Sequence, residues 1–431
     1  MSGSLARRAL TTDAARLDLS RYLRPGDRIV WSHACAEPTS LVEALIAQAE
    51  AIGPLAAFAA TSFSGVLSAE AAQRLAISSL GAIGSLRELA QARCLAIVPC
   101  HLSQVAPMID HGLIGCDVAM VQVSPPDAHG NHSFGLTTDF IEAAVRKARV
   151  VIAEVNERIP FTLGDAVLPA ARIDCAVRVD RDPVEAPAAR AGETDLAIAR
   201  IACDYIEDGA TLQVGIGAVP EAILRLLQDR RDLGIHSGMV GDGLVDLVET
   251  GVITNARKPI DCGTSVTGAL IGTRRLFAFA DRNPAIVMRN TAYTHEPAVL
   301  SRLPSLVTIN SAVEVDLTGQ VNAEQSGSYY LGGTGGQVDF VRAGSRSPGG
   351  RSIIALPATA RGGSISRITE RLSGPVTTAR SEVDVIVTEF GAAELKGQPL
   401  AERARRLAAV AHPDFREALE AAAHQIQQKG F

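Results

Sequence analysis

The stretch Gly209-Ala-Thr-Leu-Gln-Val-Gly-Ile-Gly-Ala-Val-Pro220 reads as a turn, a buried strand, a loop of small residues and the entry to a helix. Glycine permits the turn, and proline near a helix start is tolerated because the N–H it lacks would have no partner there. A second stretch built the same way lies upstream, Gly26-Asp-Arg-Ile-Val-Trp-Ser-His-Ala-Cys-Ala-Glu-Pro38, and runs into a segment rich in Leu and Ala. Two copies of this unit predict two homologous halves.

Outward from these stretches, short β-branched runs alternate with Ala/Leu/Arg-rich ones. The pattern predicts strands at Arg28–Trp31, Cys94–Pro99, Val118–Val123 and Val150–Val155, and helices over Thr39–Ala51, Asp139–Ala148 and Thr194–Ile206. Strand–helix alternation of this kind argues for an α/β fold with mostly parallel sheets. After Asp182 the text turns to Ala, Pro and Glu, which predicts an interdomain linker. The expected segmentation is a first domain over 1–185, a linker over 186–193 and a second domain over 194–431.

The bulk numbers fit a packed chain. Its 431 residues allow two or three domains, and 47% hydrophobic with 20% charged residues excludes a disordered polymer. A net charge of -6 with only 4% aromatics offers neither a basic field nor stacking platforms, which argues against nucleic acid. Apolar runs stay strand-sized, so no membrane span is expected. The start, Met1 to Leu10, has arginines with no apolar segment behind them, so no secretory signal is expected. Seven scattered cysteines, never in C-x-x-C spacing, read as reduced thiols of a cytoplasmic protein.

Two glycine clusters could carry chemistry. Val214-Gly215-Ile216-Gly217 sits between a predicted strand and a helix, where backbone amides and the positive helix end suit a developing anion. It lacks the third glycine of a dinucleotide fingerprint and the Gly-Lys-Ser/Thr of a phosphate loop. A tight βα turn alone is the other reading. Gly332-Gly333-Thr334-Gly335-Gly336 is denser, and ordering four glycines costs backbone entropy that a mere spacer would not repay. Its amides could cradle an oxyanion or a thioester, and a flexible surface loop is the alternative. The nine histidines form no metal array. His129 and His132 share a Pro- and Gly-rich loop without a Cys or Glu to complete a set, so a hydrogen-bonded turn is expected there and no metal. His412-Pro-Asp-Phe-Arg416 reads as a helix entry. No G-x-S-x-G nucleophile elbow is present.

The ordered motifs Val123-Ser-Pro-Pro-Asp127, Ala153-Glu-Val-Asn156, Gly209 to Pro220, Leu233-Gly-Ile-His-Ser237, Gly251-Val-Ile-Thr-Asn255, Val315 to Ala323, Gly335 to Phe340, Val387-Thr-Glu-Phe-Gly391 and His412 to Arg416 resemble the acetyl-CoA hydrolase/transferase family. That family includes 4-hydroxybutyrate, butyrate and succinyl-CoA:acetate CoA-transferases. The resemblance implies two tandem CoA-transferase (NagB/RpiA-like) α/β domains with the active site between them, and a homodimer. Coenzyme A enters as acyl-CoA substrate with no bound cofactor, and the other partner is a small-molecule acceptor.

The family mechanism uses a glutamate whose carboxylate attacks the thioester, giving a mixed anhydride and then a glutamyl-CoA intermediate. In relatives that glutamate directly follows the His-Ser or His-Thr pair. Here His236-Ser237 is followed by Gly238. A second departure is His295, where the family's substrate-side motif carries asparagine. Removing a nucleophile costs on the order of 10⁶ in turnover in a protease, while binding and oxyanion stabilisation keep about 10³ to 10⁴ over water. The expectation is therefore an acyl-CoA enzyme reworked to pass the acyl group directly to an external amine, alcohol or water. His295 or His236 would be the base, since imidazole exchanges protons near neutral pH. Val214 to Gly217 and Gly333 to Gly336 would hold the thioester, and Arg342 and Lys396 are chemical candidates for the nucleotide end of CoA. The alternatives are a conventional CoA-transferase or hydrolase using Glu296 or Glu221, and an inactive CoA-binding protein.

Overall fold

The computed structural model describes residues 10–165, 167–187 and 190–429. The reading of the first residues as carrying no secretory signal falls mostly outside this range, as do Ala188 and Ala189 of the expected linker.

The chain divides into two compact units. The first contains the described residues up to Pro187 together with Val266–Thr294. Its sheet has eight strands: β1 Leu10–Asp13, β2 Arg28–Trp31, β3 Ala56–Phe58, β4 Ala76–Ser79, β5 Leu95–Ile97, β6 Val118–Val123, β7 Val150–Asn156 and β8 Cys175–Val179. They lie in the order β1-β8-β7-β6-β2-β3-β4-β5, all parallel. β6 and β7 are buried along their whole length. Alternate residues feed two cores. Ile29, Trp31, Met120 and Ile152 pack on one face, while Val30, Val121, Ala153 and Val155 pack on the other. Burial of both faces is what a parallel sheet requires, and it explains the unbroken apolar runs in the sequence.

Helix α1, Thr39–Ile52, packs on one of these cores with Leu41, Val42 and Leu45. It has Pro38 at its N-cap and no side-chain cap of its own. Glu154 of β7 supplies one, its Oε2 accepting from the amides of Ser40 at 2.9 Å and Leu41 at 3.3 Å. Helix α2, Ile141–Lys147, follows on the other face.

The second unit holds the rest of the described chain. After helix α3, Glu193–Cys203, come β9 Thr211–Val214, helix α4 Ala218–Leu226, β10 Gly234–Ile235, β11 Leu306–Ser311, helix α5 Gln337–Arg346, β12 Arg351–Ala355, β13 Val385–Thr388 and β14 Gly391–Glu394. The sheet order is β10-β9-β11-β12-β13-β14, parallel except for the last pair. Helices Leu400–Ala409 and Pro413–Lys429 cover one core with Leu407, Ala408 and Leu419. Among the described residues no helix is long and apolar enough to cross a membrane.

One difference from the expected segmentation stands out. Residues 266–294 fall inside 194–431, yet they belong to the first unit. Ile286–Met288 pairs in parallel with Leu163–Gly164, and Thr138 Oγ1 lies within hydrogen-bond distance of the carbonyls of Gly268 and Arg289, at 3.2 and 3.1 Å. These pairings link distant parts of the chain and leave no composition boundary.

Candidate active site

In an open parallel sheet, ligands favour the carboxyl ends of the strands where the strand order reverses. In the second unit the chain steps from β9 outward to β10 and then returns to place β11 on the other side of β9. The reversal therefore falls at β9, and the loop after it is Gly215–Gly217. In the first unit the reversal falls at β2, the strand of the matching sequence stretch.

The residues expected to bind a thioester differ in what they leave open. The Val214 amide donates to Ser237 Oγ at 3.3 Å and the Gly215 amide to the Ile309 carbonyl at 3.2 Å, so both are engaged in the fold. Gly217, at the N-cap of α4, has φ 125° and nothing within 4 Å of where a side chain would stand. That conformation is open to glycine and essentially closed to other residues. Gly335 is similarly open, at φ 52°. Gly332 is structural: a Cβ there would stand 2.3 Å from the Ala323 carbonyl oxygen, and its amide donates to the Glu324 carbonyl. Thr334 is buried, and Gly336 is the N-cap of α5.

The turn after β10 carries His236, Ser237 and Gly238. The His236 amide donates to the Leu212 carbonyl at 3.0 Å, and Ser237 Oγ lies 2.7 Å from the Met239 carbonyl and 3.1 Å from that of Val214. His236 and Ser237 are fully buried.

His295 comes from the segment just before the short helix Pro297–Leu300. Its ring lies 4.7 Å from that of Phe340 on α5, with the planes tilted by 56°. A Cβ at Gly238 would meet His295 Cε1 at 2.8 Å and Nε2 at 2.9 Å, and one at Gly336 would meet Nε2 at 2.5 Å. The imidazole thus lies against two bare backbones, one from each motif. The atoms nearest that position beside Gly238 belong to the imidazole and to one edge of Phe340.

The other candidates are engaged elsewhere. Arg342 pairs with Glu382 at 3.3 Å, and Lys396 Nζ donates to the Ser345 carbonyl in the last turn of α5, where a cation suits the helix end. Glu296 is exposed and caps the helix at 297–300 through the Ala298 amide at 3.4 Å. Glu221 is half-buried beside Gly243, and burial first, then the charge of Asp242, raises its carboxyl above the ordinary range. His129 and His132 belong to a turn in which Asp127 Oδ1 accepts from the amides of His129 and Asn131 at 2.8 Å each. No group of three metal-ligating side chains occurs among the described residues.

Gly238, His295 and Gly336 stand in separate motifs, and their contact joins segments far apart in the chain. Phe340 ends the Gly335 to Phe340 motif, and its place against His295 carries no local sequence signal.

Residues 16–187 match the model of the acetyl-CoA hydrolase/transferase N-terminal domain, and residues 272–423 match that of the C-terminal domain. The chain is 41% identical over 396 residues to the 4-hydroxybutyrate coenzyme A transferase of Clostridium kluyveri, covering 91% of this chain and 92% of that protein. Among solved structures, RipA from Yersinia pestis superposes with a TM-score of 0.91 at 35% identity, covering 97% of this chain and 98% of the other. The 4-hydroxybutyrate CoA-transferase from Porphyromonas gingivalis gives 0.82 at 34%, with the same coverages.

Proposed function

Because this chain belongs to the acetyl-CoA hydrolase/transferase family, whose members act on acyl-CoA thioesters, we propose that it transfers the acyl group directly to an external nucleophile, without a glutamyl-CoA intermediate. The observation that carries this reading is the contact at Gly238. Where the family resemblance expects the attacking glutamate, the chain has a glycine, and the adjoining space is filled by His295.

In this scheme the acceptor's N–H or O–H proton passes to the His295 imidazole as its heteroatom bonds to the thioester carbonyl carbon. The oxyanion that forms is stabilised by backbone amides in the open stretches at Gly217 and Gly335. Collapse breaks the C–S bond, and the departing CoA thiolate takes the proton back from the imidazole. His295 is favoured over His236 because its ring, among the two, is the one in contact with Gly238 and Gly336. The substrate class is acyl-CoA with a small amine, alcohol or water as acceptor, and a cytoplasmic homodimer is part of the same proposal.

The test is incubation of the protein with acetyl-CoA and a panel of acceptors, followed by hydroxylamine or borohydride trapping and mass spectrometry. Direct transfer gives acylated acceptor and no labelled glutamate. A glutamyl adduct at Glu221 or Glu296 during turnover would instead establish a conventional CoA-transferase. Calorimetric CoA binding with no thioester loss would establish an inactive binding protein.

A further inference from the structure

β10 is only two residues long and lies at the edge of its sheet, paired on one side to β9. An edge strand presents unpaired N–H and C=O groups on its other side. Here the free side of Ile235 is occupied by two side chains in place of a strand. Its amide donates to Asn255 Oδ1 at 2.8 Å, and its carbonyl accepts from Lys258 Nζ at 2.9 Å.

Both side chains are themselves fixed. Lys258 Nζ also donates to the Thr264 carbonyl at 2.7 Å, and Asn255 Nδ2 donates to Ser265 Oγ at 3.0 Å. Asn255 adopts φ 55°, a left-handed conformation that asparagine tolerates better than most residues. Gly234 is bare because the lysine stem passes over it: a Cβ there would stand 2.8 Å from Lys258 Cδ. Lys258 is 3% exposed, and its two hydrogen-bond partners are backbone carbonyls, not carboxylates. A buried ammonium with such partners is costly unless it secures something else. One residue beyond Ile235 begins the His236–Gly238 turn.

We propose that Lys258, together with Asn255, is a positioning residue for the His236–Gly238 turn, acting through the Ile235 peptide. The inference rests on the reading that His295, whose ring lies against this turn at Gly238, is the base in acyl transfer.

Burial lowers the Lys258 pKa to about 8. Asp261 and Cys262 on its own loop oppose that shift. In sequence Asp232 and His236 flank β10 and Arg257, paired with Asp232, precedes Lys258, while Gly234 and Thr211 by its stem carry no charge. Above pH 8 the neutral amine keeps two protons for its two carbonyls but loses charge assistance, so the clamp weakens without letting go.

The experiment compares wild type, Lys258→Met and Lys258→Arg in two measurements. Turnover is followed as acetyl-CoA consumed with hydroxylamine as the acceptor, above the rate of the same mixture without protein, and hydrogen exchange is followed over residues 234–240. Lys258→Met should lower kcat by roughly 10- to 100-fold with KM for acetyl-CoA within about twofold, since misplacement by an ångström costs that much. Lys258→Arg should keep most of kcat and lose any alkaline decline near pH 8. Exchange over 234–240 should accelerate in Lys258→Met and stay near wild type in Lys258→Arg. Wild-type exchange and kcat in a folded Lys258→Met overturn the inference, as does an equal loss in both variants with exchange unchanged. If the wild type consumes no thioester, the functional reading falls by itself, and the exchange contrast still decides the clamp.

Discussion

A methyl group at Gly238 would stand 2.8 Å from His295 Cε1, closer than side-chain carbons approach one another, so residue 238 and residue 295 constrain each other directly. Gly238→Ala should overpack the pair and cost about 1–3 kcal/mol, measurable as a lower Tm. A glutamate introduced at 238 meets the same imidazole. We therefore predict that Gly238→Glu alone yields no hydroxylamine-sensitive adduct with acetyl-CoA, whereas Gly238→Glu with His295→Asn does. An adduct in the single variant would refute the steric argument. His295→Ala in the wild-type background should cut thioester consumption by roughly 10²- to 10⁴-fold, the usual worth of a general base. The exposed His129→Ala serves as control and should leave the rate near wild type.

At the scale of elements, the βα loop after β9 separates conformational demand from steric demand. Gly217→Ala has space but the wrong backbone, at φ 125°, and should lose about 1–3 kcal/mol of stability. At Gly215 no left-handed conformation is required, and a Cβ would lie an ordinary 3.7 Å from the Ile309 oxygen. Thermal unfolding of Gly215→Ala should therefore stay close to wild type, and equal losses in both variants would contradict this account. The elements themselves were largely legible. Arg28–Trp31 and Val118–Val123 are strands at the expected bounds, and the helix expected at Thr39–Ala51 spans Thr39–Ile52. Their signal is local, in apolar period and in turn residues. The candidate site could be read as a set of motifs but not as a set of contacts. Nothing in the sequence joins His295 to Gly238, and nothing local to Lys258 shows that its stem passes over Gly234. Likewise the reading of Val214 and Gly215 as ligand amides could not foresee that Ser237 and Ile309 already accept from them.

For the whole molecule, buried carboxylates set a pH dependence. Glu154 is fully buried, and desolvation lifts its pKa to about 7 despite the Arg181 charge and the α1 amides that oppose it. A carboxyl raised in the folded state favours folding while it is protonated. Its contribution is full below the unfolded value near 4.5, shrinks as pH rises, and is gone above about 7. Glu154→Gln keeps an oxygen for α1 and removes the titration. Its Tm relative to wild type should therefore rise between pH 5 and pH 8, by an amount corresponding to at most about 3 kcal/mol. A constant difference across that range would show that Glu154 stays ionised.

The return of Val266–Thr294 to the first unit has a consequence for synthesis. A polypeptide leaving the ribosome has made every strand of the eight-stranded sheet by Val179, yet Leu163–Gly164 still waits for Ile286–Met288. The early half must therefore persist without that partner while much of the later half emerges, a window in which chaperones or proteases can act on it. A fragment ending at Pro187 should then be more readily cleaved by added protease than the same residues within the intact chain.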